Sequence, residues 1–216
     1  MTPEKKVRRR LPRSEREQLI VAEAVRFFAE VGLEGQTRAL AERLGVTQPL
    51  LYRYFPDKEA LIERVYQEAF IEGWDPEWTS LLADRSRPLR DRLVDFYLGY
   101  THAHFSYERV RLFMFAGLKD QGLVSRYLAF IHENLFIPLA RELRAEAGLS
   151  PAGDITDSEI ECVAGLHGAI GYVGTRRWIF KATVPEDADA AVINQIDTFF
   201  KGASATFRAL ERHAAE

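Results

Sequence analysis

A single cysteine, Cys162, among 216 residues rules out an internal disulfide, and with no second thiol the common cysteine-based zinc spacings are excluded too. No stretch reaches the roughly 18 uninterrupted apolar residues a membrane helix needs. The basic start, Lys5, Lys6, Arg8, Arg9 and Arg10, is not followed by an apolar signal core, so the expected address is the cytoplasm, with no membrane partner. Also missing are a glycine-rich phosphate loop, a Ser or Cys nucleophile motif and a His-Glu-x-x-His run. These absences argue against an enzyme. The alternative left open is an all-α enzyme with a site assembled from distant helices, or a protein-binding module. No cofactor and no metal site is indicated: His102 and His104, two apart, point in nearly opposite directions on a helix.

A large net charge is lacking as well, at −3, yet its distribution is uneven. The first 60 residues carry 12 Lys+Arg against 9 Asp+Glu, and the remaining 156 carry 17 against 23. A basic front on an acidic body suits a polyanion-binding module joined to something else, and a solvated surface suits it nearly as well. At 47% hydrophobic content there is enough apolar material for a real core. Cys162 reads as a small buried hydrophobe within it.

What is present is helical periodicity almost throughout, so the fold class is all-α. Ser14 and Glu17 form a capping box, with Leu19, Ile20, Ala24, Phe27, Phe28 and Val31 on a 3.6-residue repeat and Gly32 as the stop. A short helix fits Thr37 to Leu44, Gly45-Val46 makes a tight turn, and Thr47 is a candidate N-cap for a third helix with Pro49 in its first turn. That helix ends before Pro56, and Asp57 caps a fourth, striped by Leu61, Ile62, Val65, Tyr66, Ala69 and Phe70.

Two short helices joined by a glycine turn are the sequence form of a helix-turn-helix, whose second helix enters the DNA major groove. Leu51 and Phe55, four apart, face inward together and leave Gln48, Tyr52 and Arg53 outward. Gln can bond an adenine edge in two places, while tyrosine hydroxyls and Lys58 can bond phosphate. The competing reading is that Tyr52 and Tyr54 merely cover a small three-helix core.

The run "TRALAERLGVTQPLLYRYFPDKEALIERV", with "FFAEVGLEG" before it, resembles the N-terminal domain of the TetR family of bacterial transcription regulators. The resemblance covers residues 14 to about 70. It implies a dimeric, ligand-responsive transcription regulator, a repressor as most relatives are, that binds a near-palindromic double-stranded DNA operator. It also implies DNA-contacting roles for Thr37 (phosphate), Arg38 (base), Gln48 and Pro49 (base edges), and Tyr52, Tyr54 and Lys58 (backbone). Thr47, Leu50 and Arg53 complete the expected interface. Leu50 departs from the family pattern, since a leucine can touch a thymine methyl but cannot donate a hydrogen bond. The implied organisation is a basic arm over residues 1–13, a helix-turn-helix domain over 14–56, a connecting fourth helix over 57–74, and a helical-bundle domain for ligand binding and dimerisation over 75–216. The arm could follow phosphate or enter a minor groove; solubility explains it equally well.

In the second part, helices are expected from Pro88, from about Tyr107, through Tyr127 to Leu143 with a kink at Pro138, from the capping box Thr156 and Glu159 to about Phe180, and from Pro185 onward. Gly165, Gly168, Gly171 and Gly174, three apart, make a smooth track. Because TetR-type regulators dimerise through their last two long helices, Gly165, Gly168, Gly171, Ile196, Phe200 and Phe207 are the expected homodimer interface. The rival is that the glycines make room inside the subunit. For a small apolar or aromatic ligand the candidates are Phe96, Tyr100, His104, Phe113, Tyr127, Phe130, His167, Tyr172 and Trp178, although aromatic stripes at helical spacing are also what bundle cores are made of.

Overall fold

In the computed structural model, residues 12–119 and 122–214 are described; the basic arm up to residue 11 lies outside them. Eleven helices and no strand are found among these residues. They are α1 (Arg13–Val31), α2 (Thr37–Arg43), α3 (Gln48–Tyr52), α4 (Lys58–Tyr66), α5 (Glu77–Ala83), α6 (Leu89–His104), α7 (Tyr107–Lys119), α8 (Leu123–Ile131), α9 (Ile137–Glu146), α10 (Asp157–Trp178) and α11 (Ala188–Ala214). One-turn π segments extend α4 over Gln67–Ile71 and join α8 to α9 over His132–Phe136. The architecture is an N-terminal helix-turn-helix unit of α1 to α3 joined by α4 to a C-terminal helical bundle.

The first unit closes on Ile20, Ala24, Phe28, Leu40, Leu51 and Phe55, all buried. Asp57 caps α4 by accepting from the Ala60 amide at 2.7 Å. The turn between α2 and α3 passes through Gly45 at φ +66°, a left-handed conformation that glycine adopts without steric cost. Two expected caps do not form. Helix α1 starts at Arg13 after Pro12 with no side-chain cap bond, so Ser14 is already inside it, and Thr47 stands at the N-cap of α3 without bonding an amide.

The capping box of α10 does form, between Thr156 and Glu159. Glu159 is also paired with Arg144 at 2.8 Å, both side chains buried, and Arg144 reaches Glu211 at 3.0 Å; this ties α9, α10 and α11 together at one end of the bundle. Where a kink was expected at Pro138, a π turn lies just ahead of it. Proline has no amide donor and its ring crowds the carbonyl four residues back, so a locally widened turn lets the helix continue, and Asn134 Nδ2 donates to the Phe130 carbonyl there at 2.8 Å. The last helix begins at Ala188 rather than at Pro185.

The unit and α4 meet the bundle through α7 and α8. Helix α7 packs along α1, with Arg111 Nε donating to the Ala29 carbonyl at 2.5 Å. Helix α8 holds α4 through Arg126, whose guanidinium bonds both oxygens of Glu63 at 2.7 and 2.9 Å and lies 4.5 Å over the Tyr66 ring. These bonds from Arg126, with one from Gln67, bring the Glu63 carboxyl down to about 2.

Candidate functional site

On the first unit, the short α3 presents one side of itself to solvent because Leu51 anchors the other. Thr47, Pro49, Tyr52 and Arg53 are exposed, while Gln48, Leu50, Tyr54 and Lys58 are half-buried. Arg38 is exposed on α2 and pairs with Glu42 at 3.3 Å. Arg43, by contrast, is clamped by Glu23 and Glu30 at 2.5 and 2.6 Å on the α1 side, which removes it from the exposed face. Among the described residues, no ion pair is formed by Arg53 or Lys58, so both cations beside α3 are left unpaired.

Three of the expected DNA contacts turn out to be bonded to one another. Gln48 Nε2 donates to Thr37 Oγ1 at 3.0 Å, and Thr37 Oγ1 lies 2.9 Å from the Tyr52 hydroxyl. Thr37 is buried, with its hydroxyl engaged from both sides. In this arrangement Thr37, expected at phosphate, ties Gln48 and Tyr52 to the start of α2. Gln48 keeps its second amide hydrogen and its Oε1 for an outside partner. Tyr54 packs against the core and lies under Arg13 at 5.8 Å, so the core reading holds for Tyr54 and not for Tyr52.

In the bundle, seven of the nine ligand candidates converge. Phe96, Tyr100 and His104 on α6 meet Phe113 on α7, Tyr127 and Phe130 on α8, and His167 on α10. Tyr100 stacks on His104 at 4.8 Å and faces His167 at 5.3 Å, and its hydroxyl is 2.5 Å from that of Tyr127. Phe113 lies 6.1 Å from Tyr127. Tyr172 is the exception, being exposed and 6.4 Å from Phe180. Trp178 also stands apart, lining a separate groove with Thr101, Phe105 and Asp189.

Sequence reasoning missed Trp74, Trp78, Tyr97 and Arg109 here. Trp74 reaches Phe96 at 6.1 Å and Phe130 at 5.2 Å, and Trp78 reaches Phe96 at 5.5 Å. Two tryptophans four apart, flanking Pro76 where the fourth helix was expected to end, were the available signal. The polar groups of this cluster are poorly matched. The Tyr97 hydroxyl, both ring nitrogens of His104 and Nδ1 of His167 are buried without a hydrogen-bond partner, whereas such groups are bonded in most proteins. Desolvation brings His104 down to about 4, assisted by the Arg109 charge and opposed by a contact with the Gly73 backbone too poorly aligned to count as a hydrogen bond, and brings His167 down to about 4, assisted by His104. Burial likewise pushes the Tyr127 hydroxyl up to about 12. All of these groups are neutral near pH 7.

On the outer face, a groove of about 380 Å³ runs between α10 and α11, lined by Cys162, Gly165, Ala169, Phe199, Gly202 and Thr206 among others. Gly165 and Gly168 have open space where a side chain would be, while Gly171 faces Phe105 and Gly174 faces Val110 and Trp178 within the chain. The glycine track thus divides between an open half and an internally packed half. Ile196 and Phe207, expected at a dimer interface, are fully buried in their own protomer. They occupy the inner stripe of α11, which packs on α6, α9 and α10. Phe200 is half-buried.

Residues 20–65 match the family described as "Bacterial regulatory proteins, tetR family". The chain is 35% identical over 85 residues to the tetracycline repressor protein class A from transposon 1721 of Escherichia coli, a match covering 36% of this chain and 39% of that protein. The match therefore spans about two-fifths of the repressor's own length. Among solved structures, the fold resembles a TetR-like transcriptional regulator from Rhodococcus sp. RHA1 (TM-score 0.66, 22% identity, 89% of this chain and 98% of that one). It also resembles a tetR-family transcriptional regulator from Streptomyces coelicolor (TM-score 0.62, 16% identity, 95% and 87%). No described helix is long and apolar enough to cross a membrane.

Proposed function

We propose that this chain, whose residues 20–65 match the tetR family of bacterial regulatory proteins and which is 35% identical over 85 residues to a tetracycline repressor, is a cytoplasmic, ligand-responsive repressor of that kind that binds a near-palindromic operator as a homodimer. The observation that carries the reading is the exposed side of α3, where Gln48, Tyr52 and Arg53 stand beside Arg38 on a scaffold held by Leu51 and Phe55. Gln48 supplies base recognition, while Arg53, Lys58 and Tyr52 supply phosphate contacts. The open half of the glycine track supports pairing of two copies across α10 and α11, with Gly165 and Gly168 allowing close approach.

Two routes connect the bundle to the head. Tyr127 lies 5.2 Å from Phe70 in the π turn that extends α4, and Arg111 on α7 grips the carbonyl end of α1. A ligand that repositions α7 or α8 would shift the head through either contact, and a difference of a few kcal/mol in affinity between two states is sufficient to switch it.

The test is fluorescence anisotropy with duplex DNA from upstream of the chain's own gene against a scrambled duplex, at two salt concentrations. Selective binding that weakens steeply with salt is expected. Equal, weak binding to both duplexes, followed by failure to select any sequence from random DNA, would sink the reading. Light scattering showing a monomer at micromolar concentration would sink the dimer.

A further inference from the structure

We propose that Thr37 serves DNA binding as a positioning residue: its buried hydroxyl holds Gln48 and Tyr52 on one face of α3 and leaves the Tyr52 hydroxyl as a donor for a backbone phosphate. This rests on the reading that α3 meets DNA. It adds how the aim of that helix is set, and through which proton.

The geometry identifies the members. Thr37 is the first residue of α2, while Gln48 and Tyr52 are the first and last residues of α3. Being four apart, those two share a face of the helix. One oxygen meets both: Thr37 Oγ1 lies 3.0 Å from Gln48 Nε2 and 2.9 Å from the Tyr52 hydroxyl. A helix of five residues has few side chains with which to fix its rotation about its own axis. Buried Leu51 and Phe55 hold it from within, and the Thr37 hydroxyl holds it at both ends of the face that carries Gln48 and Tyr52.

Counting protons then gives the direction. The Gln48 amide nitrogen only donates, so Thr37 Oγ1 accepts from it. Thr37 has one hydroxyl proton of its own and is 6% exposed. Among the described residues, the Tyr52 oxygen is the acceptor that proton can reach. Leaving a buried donor unbonded costs more than a net hydrogen bond contributes, so Thr37 donates to Tyr52. The Tyr52 proton is then spent on neither neighbour, and Tyr52 is 38% exposed. A backbone phosphate accepts and does not donate, so it completes the chain from Gln48 through Thr37 and Tyr52. In the reverse order, with the Gln48 amide turned over, Tyr52 would spend its proton on Thr37 and have nothing to donate.

The experiment uses the full chain with a duplex selected from random DNA and a scrambled duplex, followed by anisotropy over a range of salt. Tyr52→Phe should weaken both duplexes about fivefold, the worth of one hydrogen bond. Its salt slope should stay level, because a neutral contact releases no counterion. Thr37→Val should reproduce that loss on the scrambled duplex, and adding it to Tyr52→Phe should cost nothing further there. Thr37→Ser, which keeps the hydroxyl, should bind like the parent. Tyr52→Phe changes an exposed group and leaves the core alone, so it keeps the test open if Thr37→Val loosens the head. Full affinity in Tyr52→Phe would mean that the chain runs in reverse. A further loss when Thr37→Val is added to it would mean that Thr37 meets phosphate itself, and a Thr37→Ser variant as weak as Thr37→Val would mean that the hydroxyl is not what matters. Each of these overturns the proposal. A parent chain that selects no sequence from random DNA fails the DNA-binding reading, and this inference with it.

Discussion

The head and the bundle handle polar side chains in opposite ways. Around α2 and α3 the groups that matter are exposed or bonded to each other, as Gln48, Thr37 and Tyr52 are. Around α6 and α10 they are buried and unpaired, as Tyr97, His104 and His167 are. A surface that meets a hydrated polyanion needs donors already aimed, because water can satisfy them until the partner arrives. An interior that meets an apolar ligand cannot borrow water in that way, so its unpaired groups weaken the empty state and make an occupant favourable. The difference fits the proposed division between a head that meets DNA and a bundle that meets a ligand, and it can be broken or sharpened experimentally.

The sharpest break is Leu51→Ala. Leu51 is 1% exposed and is the inner anchor of a helix only five residues long, and truncating a buried leucine costs about 2–5 kcal/mol. The variant should lose duplex binding and show fast amide exchange in α2 and α3. Slow exchange in α10 should persist, because the α10 capping box and the Arg144–Glu159 pair are remote from the change. Loss of protection in both halves together would mean that the contacts of α7 on α1 fuse them into one cooperative unit.

Acid should act on the other half. All five histidines lie beyond residue 101, and His104 and His167 are each brought down to about 4 in the folded chain. Between about 4 and the unfolded value near 6.5, the unfolded chain binds protons that the folded one does not, so stability falls as pH falls. By pH 5 the loss should be on the order of 2 kcal/mol per histidine. Tryptophan fluorescence isolates this effect, since Trp74, Trp78 and Trp178 all lie outside the head. Thermal melts followed this way should drop between pH 7.5 and 5, and His104→Leu should flatten the slope by about half. An unchanged melting temperature would mean that the two rings are hydrated rather than buried.

The same contrast explains what could be read in the sequence. The head was legible because its signals are local: Gly45, Asp57 and the Leu51–Phe55 spacing all act within one or two turns. Even there the Thr37–Gln48–Tyr52 bonds were missed, since they join residues up to 15 apart across a turn. In the bundle, most helix positions were legible and the capping box of α10 formed as read, while α5 was not expected and α11 starts at Ala188 rather than at Pro185. Which stripe faces which neighbour was not legible. Ile196 and Phe207 share one face of α11, and periodicity says that the face is apolar without saying whether it meets the same chain or another copy. The aromatic candidates came from composition and helical spacing, so Tyr172, pointing outward, could not be separated from Tyr100. Arg109 carries no sequence signal at all, because only the fold brings its charge to His104.

The finest test pairs two deletions of a single hydroxyl. Thr37→Val removes the oxygen that Gln48 donates to and that Tyr52 meets, leaving both without their shared partner. Losing a hydrogen bond of this kind costs about 1 kcal/mol, and preference for the operator over a scrambled duplex should fall as Gln48 loses its fixed aim. Tyr97→Phe removes a buried hydroxyl that has no partner. No bond is lost and a desolvation cost is relieved, so stability in urea should stay level or rise by up to about 1 kcal/mol. Opposite signs from two such small changes would establish that the head is hydrogen-bonded for its task and the empty bundle is not. A matching loss from both would mean that Tyr97 is bonded through water, and the case for an interior awaiting an occupant would then rest on His104 and His167 alone.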